Sequence, residues 1–312
     1  MKISFKLLWA FTLFVVSNVF SQQDAQYTQY IYNAVAINPG YAGTRGVLSV
    51  VGLHRTQWVG VDGAPRTQTL SVHSPIGLGR VGLGGNVIQD EIGPVSETYL
   101  NADFSYTIQT STKGNLSLGL KGGARIFNVD FNKLNRSDVN DPAFTSIDGQ
   151  ISPTFGLGAY YHTDKFYFGL SAPNVLETEH LDVTDTNQIS TAASVARERI
   201  NFYLSSGYTF DLTDNIKFKP AGLVKLVSGA PLQVDVSANF LFNEKFTVGA
   251  AYRWSAAISA IAGFQISDST FIGLAYDRET TELAELNDGS YEILLRFELF
   301  RKYDKLFTPR FF

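Results

Sequence analysis

Cysteine is absent from the 312 residues and methionine occurs once. The missing thiols exclude disulfides, thiol catalysis and Cys-ligated metals. The four histidines, His54, His73, His162 and His180, are scattered, and none stands at metal-ligand spacing with a second histidine or a carboxylate triad. They read as lumen, loop or interface residues, and no metal or other cofactor is expected. A net charge of −4 offers no basic surface to steer the chain toward nucleic acid. Beyond the first twenty residues no apolar run approaches the ~20 that a membrane helix requires. No Ser/His/Asp-like set can be assembled, so a hydrolase is set aside and no catalytic residue is assigned.

The chain does have an export leader. Lys2 and Lys6 give a basic start, Leu7 to Val16 is apolar, and Val19 and Ser21 fit the −3 and −1 positions of a cleavage site before Gln22. That run is too short to span a bilayer as a helix, so residues 1–21 read as a secretory signal peptide. The mature chain is rich in Gly (27), Phe (24) and Tyr (15), with a mean hydropathy near zero.

Its apolar residues recur with period two. Leu232, Val234, Val236, Ala238, Phe240 and Phe242 alternate with Gln233, Asp235, Ser237 and Asn239. Thr98 to Ile108, Leu116 to Ile126 and Tyr291 to Phe300 repeat the pattern. Alternation also fits a soluble sandwich with wet outer faces. Two further features favour a membrane. Several strands reach ten residues or more, the length a tilted strand needs to cross a bilayer, and the connections alternate between short and long.

The predicted fold is an all-β transmembrane antiparallel barrel of about fourteen strands, an even number as single-chain bacterial barrels have. Starts are expected near Val47, Arg66, Val81, Ser96, Asn115, Ser152, Lys165, Ile200, Asn215, Leu232, Lys245, Ala257, Thr270 and Ser290. Short turns at Ser74 to Gly79, Thr110 to Gly114, His162 to Asp164, Leu212 to Asp214, Asn243-Glu244 and Ser267 to Ser269 mark the periplasmic side. Asn128 to Ile151, Ala172 to Arg199 and Arg278 to Gly289 form longer extracellular loops. The link at Trp254 to Ala257 is short for that side. In hydrocarbon each unpaired backbone group costs several kcal/mol, so the first and last strands should pair and close the sheet. The expected plan is a periplasmic or luminal segment at 22–45, an outer-membrane barrel at 46–300 and a periplasmic tail at 301–312.

On the polar side of the strands stand Asp103, Lys121, Arg125, Lys217, Lys219, Lys225, Asp235, Arg253, Asp277, Glu292, Arg296 and Glu298. Charges of both signs point to ion pairs filling a lumen rather than to one-sign steering of a permeant ion. Gly82 to Gly85 lacks the Lys-Ser/Thr of a phosphate loop and reads as a site of tight curvature or close packing. The segment bearing Tyr27, Tyr30, Tyr32, Asn38, Pro39 and Tyr41 is too polar and Pro-broken for a lipid-facing strand. It is expected to plug the periplasmic mouth or lumen, with a flexible leader as the alternative. The same six residues, with Trp58 on the loop to Pro65, are also candidates for partner contact. An interface belt is the other reading of Trp58.

A family resemblance rests on an ordered series. Gln22 to Gly43 reads QQDAQYTQYIYNAVAINPGYAG, followed by Arg55 to Gly60, Gly63 to Thr67, Asp90 to Pro94, Phe166 to Ser171, Lys219-Pro220, Gly229 to Pro231, Tyr252-Arg253, Tyr276-Asp277 and Gly289 to Glu292. This series resembles the PorP/SprF outer-membrane proteins of Bacteroidetes, associated with type IX secretion and gliding motility. Ala25 replaces a proline common after Asp24, and Tyr291 a histidine common before Glu292. The resemblance implies a non-catalytic barrel acting with type IX components. Its partner would be a secreted adhesin-type protein with a C-terminal sorting domain, helped in export or surface anchoring. A passive outer-membrane channel for small solutes is the alternative.

Overall fold

The computed structural model describes residues 26–77, 79–133, 146–176 and 199–299. The expected signal peptide and C-terminal tail lie outside the described residues, as do parts of the two longest loops. The strands are β1 Leu48–Thr56, β2 Arg66–Ile76, β3 Val81–Ile92, β4 Val95–Gln109, β5 Asn115–Val129, β6 Ile147–His162 and β7 Phe166–Ala172. They continue with β8 Asn201–Tyr208, prolonged past Thr209 by Phe210–Thr213, then β9 Ile216–Val227, β10 Gln233–Phe242 and β11 Phe246–Arg253. The last three are β12 Ala257–Ser267, β13 Thr270–Glu279 and β14 Ser290–Leu299.

Each strand pairs antiparallel with its neighbours in sequence, and the ring closes where β1 meets β14, from Leu48 opposite Leu299 to Thr56 opposite Tyr291. Both parts of β8 lie on β9, with Gly207 opposite Ala221 and Phe210 opposite Phe218, so the barrel has fourteen staves. Closure leaves no sheet edge to be desolvated, as a spanning sheet requires. Along β14 burial alternates residue by residue: Glu292, Leu294 and Arg296 point inward, Ile293, Leu295 and Phe297 outward. The same outward row of Leu, Val, Ile and Phe runs round the wall, an apolar band suited to lipid. None of the helices among the described residues is long and apolar enough to cross a membrane.

At one end the turns are short, and Asn243 and Glu244 take left-handed φ of 50° and 56° to reverse the chain. At the other end lie the long loops, with two tight exceptions. Residues 254–256 join β11 to β12 in a hairpin closed by the Ala256 amide on the Arg253 carbonyl and by Ser255 at φ 54°, so the short link expected there is real. Gly93, at φ 55°, and Pro94 make an equally tight turn between β3 and β4. The wall is uneven in height: β6 has 16 residues and β7 only 7. The sixth strand also begins five residues before its expected start at Ser152, because Ile147 to Ile151 still pair with β5 beyond the apolar stretch.

Residues 26–46 form no part of the wall. They fold into a 3-10 turn at Tyr30–Tyr32, a one-turn helix α1 at Ala34–Ile37 and a second 3-10 turn at Pro39–Tyr41, nearly all buried. Tyr27, Tyr30, Ile31, Tyr32 and Ile37 pack against inward-facing Val51, Leu53, Leu223, Phe271 and Leu294 in one apolar cluster. Val35, Tyr41 and Ala42 form another with Tyr160 and Tyr167. The hydrophobic core of this barrel therefore lies in its lumen and depends on the N-terminal segment.

Candidate functional site, a plug gripped by the barrel wall

Carboxylates on the outer half of β13 and β14 hold the far end of the segment. Arg55 of β1 bridges Asp277 at 2.6 Å and Glu292 at 3.2 Å. Two carboxylates against one guanidinium leave an excess of negative charge in a dry place, and the plug supplies the missing donors. The backbone N–H groups of Thr28 and Gln29 donate to the two Glu292 oxygens at 3.0 and 2.8 Å, and the Thr28 hydroxyl donates to Asp277 at 2.7 Å. All of these side chains are almost fully buried. Charge-assisted bonds of this kind are about twice as strong as neutral ones, and a buried carboxylate without them is costly. The wall site is incomplete without the plug.

Toward the short-turn end other charges engage the segment. Arg45 donates to Glu298 at 2.6 Å, while Arg296 stands 3.6 Å from Glu298 and over the Phe271 ring at 4.9 Å. Lys121 Nζ caps α1 by donating to the Ala36 carbonyl at 2.8 Å, with Asp103 3.6 Å away. At the long-loop end Asp235 and Arg253 pair across β10 and β11 at 2.8 Å. Lys217 shares the inward parity but lies at the rim, bonded to Glu244 of the turn at 3.1 Å and partly exposed.

The Asn38-Pro39-Gly40-Tyr41 stretch is seated differently. Asn38 donates to the Ala159 carbonyl at 3.1 Å and accepts from the Gly40 amide at 2.9 Å, an Asx turn that fixes the bend. Below it the inward positions of β5 and β6 are Gly119 and Gly158. A Cβ on Gly119 would collide with the Pro39–Gly40 backbone, and one on Gly158 with the Asn38 side chain. Next along, Ser105 donates to the Ala42 carbonyl at 2.7 Å, and the Gly43 amide to Nδ1 of His73 at 3.1 Å. Gly82, in the sequence run first compared with a phosphate loop, has the Ala42 carbonyl where its Cβ would be.

Tyr27, Tyr30, Tyr32, Asn38, Pro39 and Tyr41 are all buried in the lumen against the inner wall. Trp58 is at the outer rim, half-buried at φ 46°, its indole N–H donating to Glu279 at 3.0 Å. Backbone bonds between Val59 and residues 288 and 289 tie its loop to the β13–β14 loop. An adjacent cleft of about 320 Å3 is lined by Trp58, Val61, Asp62, Arg66 and Glu91. Thr28, Arg45, Arg55, His73, Gly119 and Gly158 were not singled out as site residues from the sequence. For Arg55 the signal was masked because its inward neighbours Val51 and Leu53 are apolar, which leaves β1 without a polar face.

The description "Type IX secretion system membrane protein PorP/SprF" fits residues 19–297. The fold and this match define an outer-membrane barrel of a protein-secretion system. More particularly, the chain belongs to the PorP/SprF family, which is not an enzyme class. No curated protein matches it. Among solved structures it is similar to the Acinetobacter baumannii outer membrane protein Omp33, at 10% identity and a TM-score of 0.48, over 82% of this chain and 100% of that one. It is also similar to the CymD monoaromatic hydrocarbon channel, at 13% and 0.48 over 91% and 94%, and to the KdgM porin, at 9% and 0.37 over 81% and 99%. The fold rests on the strand ladder itself and not on these likenesses.

Proposed function

We propose that the protein binds a secreted adhesin-type protein carrying a type IX C-terminal sorting domain and supports its export or its anchoring at the cell surface, working beside other type IX components. The observation that carries this reading is the filled lumen. Among the described residues the segment packs into two apolar clusters with inward-facing wall residues, and three of the gaps it lines measure about 10, 10 and 70 Å3, room for a few waters each. The surface left for a task is the outer end, with its long loops and the cleft beside Trp58. In this proposal Trp58, at that outer end, makes a partner contact.

The deciding experiment is an affinity capture of the tagged, detergent-extracted protein from its own cells with mass spectrometry of the bound chains. Recovery of a large secreted protein with a sorting domain is expected, reduced for Trp58→Ala. Recovery of the barrel alone, together with steady ion conductance in planar bilayers, would instead favour the solute channel.

A further inference from the structure

The direction in which the plug runs can be read from its partners. Arg45 is bonded to Glu298, one residue from the end of β14 on the short-turn side. Pro39 to Ala42 sit on Gly119, Gly158 and Ser105, all near the short-turn ends of their strands. Going backward along the chain the contacts climb. Thr28 meets Asp277 and Glu292, each two residues below the long-loop end of its strand. Gln26 donates to Gln233, the first residue of β10 on the long-loop side. From Gln233 to Phe242 that strand covers about 30 Å at ~3.3 Å per residue. The segment therefore crosses the barrel from one rim to the other.

We propose that the N-terminal segment threads the barrel from the periplasmic rim to the outer mouth, so that Gln26 stands at the cell-surface end of the lumen. A return to the periplasm from Gln26 would require a second pass of chain beside a plug already packed in two apolar clusters against the wall. At the outer mouth Gln26 and its neighbours become part of the outer face, and a partner gripping that face meets this end of the plug. The topology stands whether or not the proposed adhesin is the partner.

Epitope insertion tests it. A short tag is placed between Ala25 and Gln26, a second in the turn at Asn243 and a third beside Leu286 in the β13–β14 loop. On intact cells antibody should stain the N-terminal tag as it stains the Leu286 tag, and added protease should remove both. The Asn243 tag should stay silent until the outer membrane is permeabilised. An N-terminal tag that behaves like the Asn243 tag overturns the proposal. If the tagged chain fails to give the heat-modifiable band of a folded barrel, Gln26→Cys replaces it, the only thiol in the chain. Reaction with a membrane-impermeant maleimide on intact cells supports outward threading, and reaction only after permeabilisation refutes it. The tag readout needs no captured partner, so a failed affinity capture leaves it intact.

Discussion

The outer stretch of the plug, Thr28 and Gln29, and its inner stretch, Asn38 to Gly43, meet the same closed wall in opposite ways. The outer stretch is gripped by charge: Arg55, Asp277 and Glu292 form a buried cluster whose spare acceptors are filled by plug N–H and O–H groups. The inner stretch is seated by absence of bulk: β5 and β6 carry glycine where any side chain would displace the Asn-Pro-Gly bend. The first mode is strong and intolerant of losing a partner. The second is steric and intolerant of gaining an atom. A plug held by both is fixed in register at two depths, which short-range apolar packing alone would not achieve.

Removal of a charge should separate the two modes most sharply. Glu292→Ala leaves Arg55 with one carboxylate and strands two plug amides, at a cost of about 3–5 kcal/mol for a broken buried pair. The expected result is a lower unfolding temperature of the heat-modifiable band and gating bursts in planar bilayers, with partial restoration in Glu292→Gln. Undiminished thermal stability would mean that the cluster is wetter than its burial implies. Next in size, Gly119→Val should push Pro39–Gly40 off the wall for about 1–3 kcal/mol of overpacking strain. Hydrogen exchange of the Gly40 and Tyr41 amides, bonded to Asn38 in the seated bend, should then speed up, while Glu292 and its partners stay in place. Lys121→Met removes the cap on α1 and leaves Asp103 without its cation, expected at about 1–3 kcal/mol in the same unfolding assay. Smallest of all, Lys217→Ala at the exposed rim should change stability by less than ~1 kcal/mol. A larger loss there would show that the rim pair with Glu244 helps to shape the turn.

Much of the wall was legible in the residues. Ser290 to Leu299 has one inward set of polar and charged groups and one outward set of Ile, Leu and Phe, and that contrast survives in the structure residue by residue. Strand β1 was harder to read by face, because its inward residues Val51 and Leu53 pack on the plug and are as apolar as lipid-facing ones. The aromatic segment could be recognised as unfit for lipid. That its tyrosines would pack into a core inside the lumen could not, since Tyr30 in a flexible leader and Tyr30 in a core are the same letter. The glycines show the same limit. Gly82 and Gly119 mark close approach to something, and only the folded chain shows that the approaching group is backbone thirty or more residues earlier.

The order of residues alone determined the period-two wall, the even strand number and the family, because each rests on local or strictly periodic signals. The tertiary structure decided where the carboxylates of β13 and β14 find their counter-charge, at what depth each part of the plug meets the wall, and which side chains it buries. Those outcomes depend on contacts between residues more than two hundred positions apart, such as Thr28 with Asp277 and Gln26 with Gln233. Such contacts exist only once the sheet has closed around its own N-terminal segment.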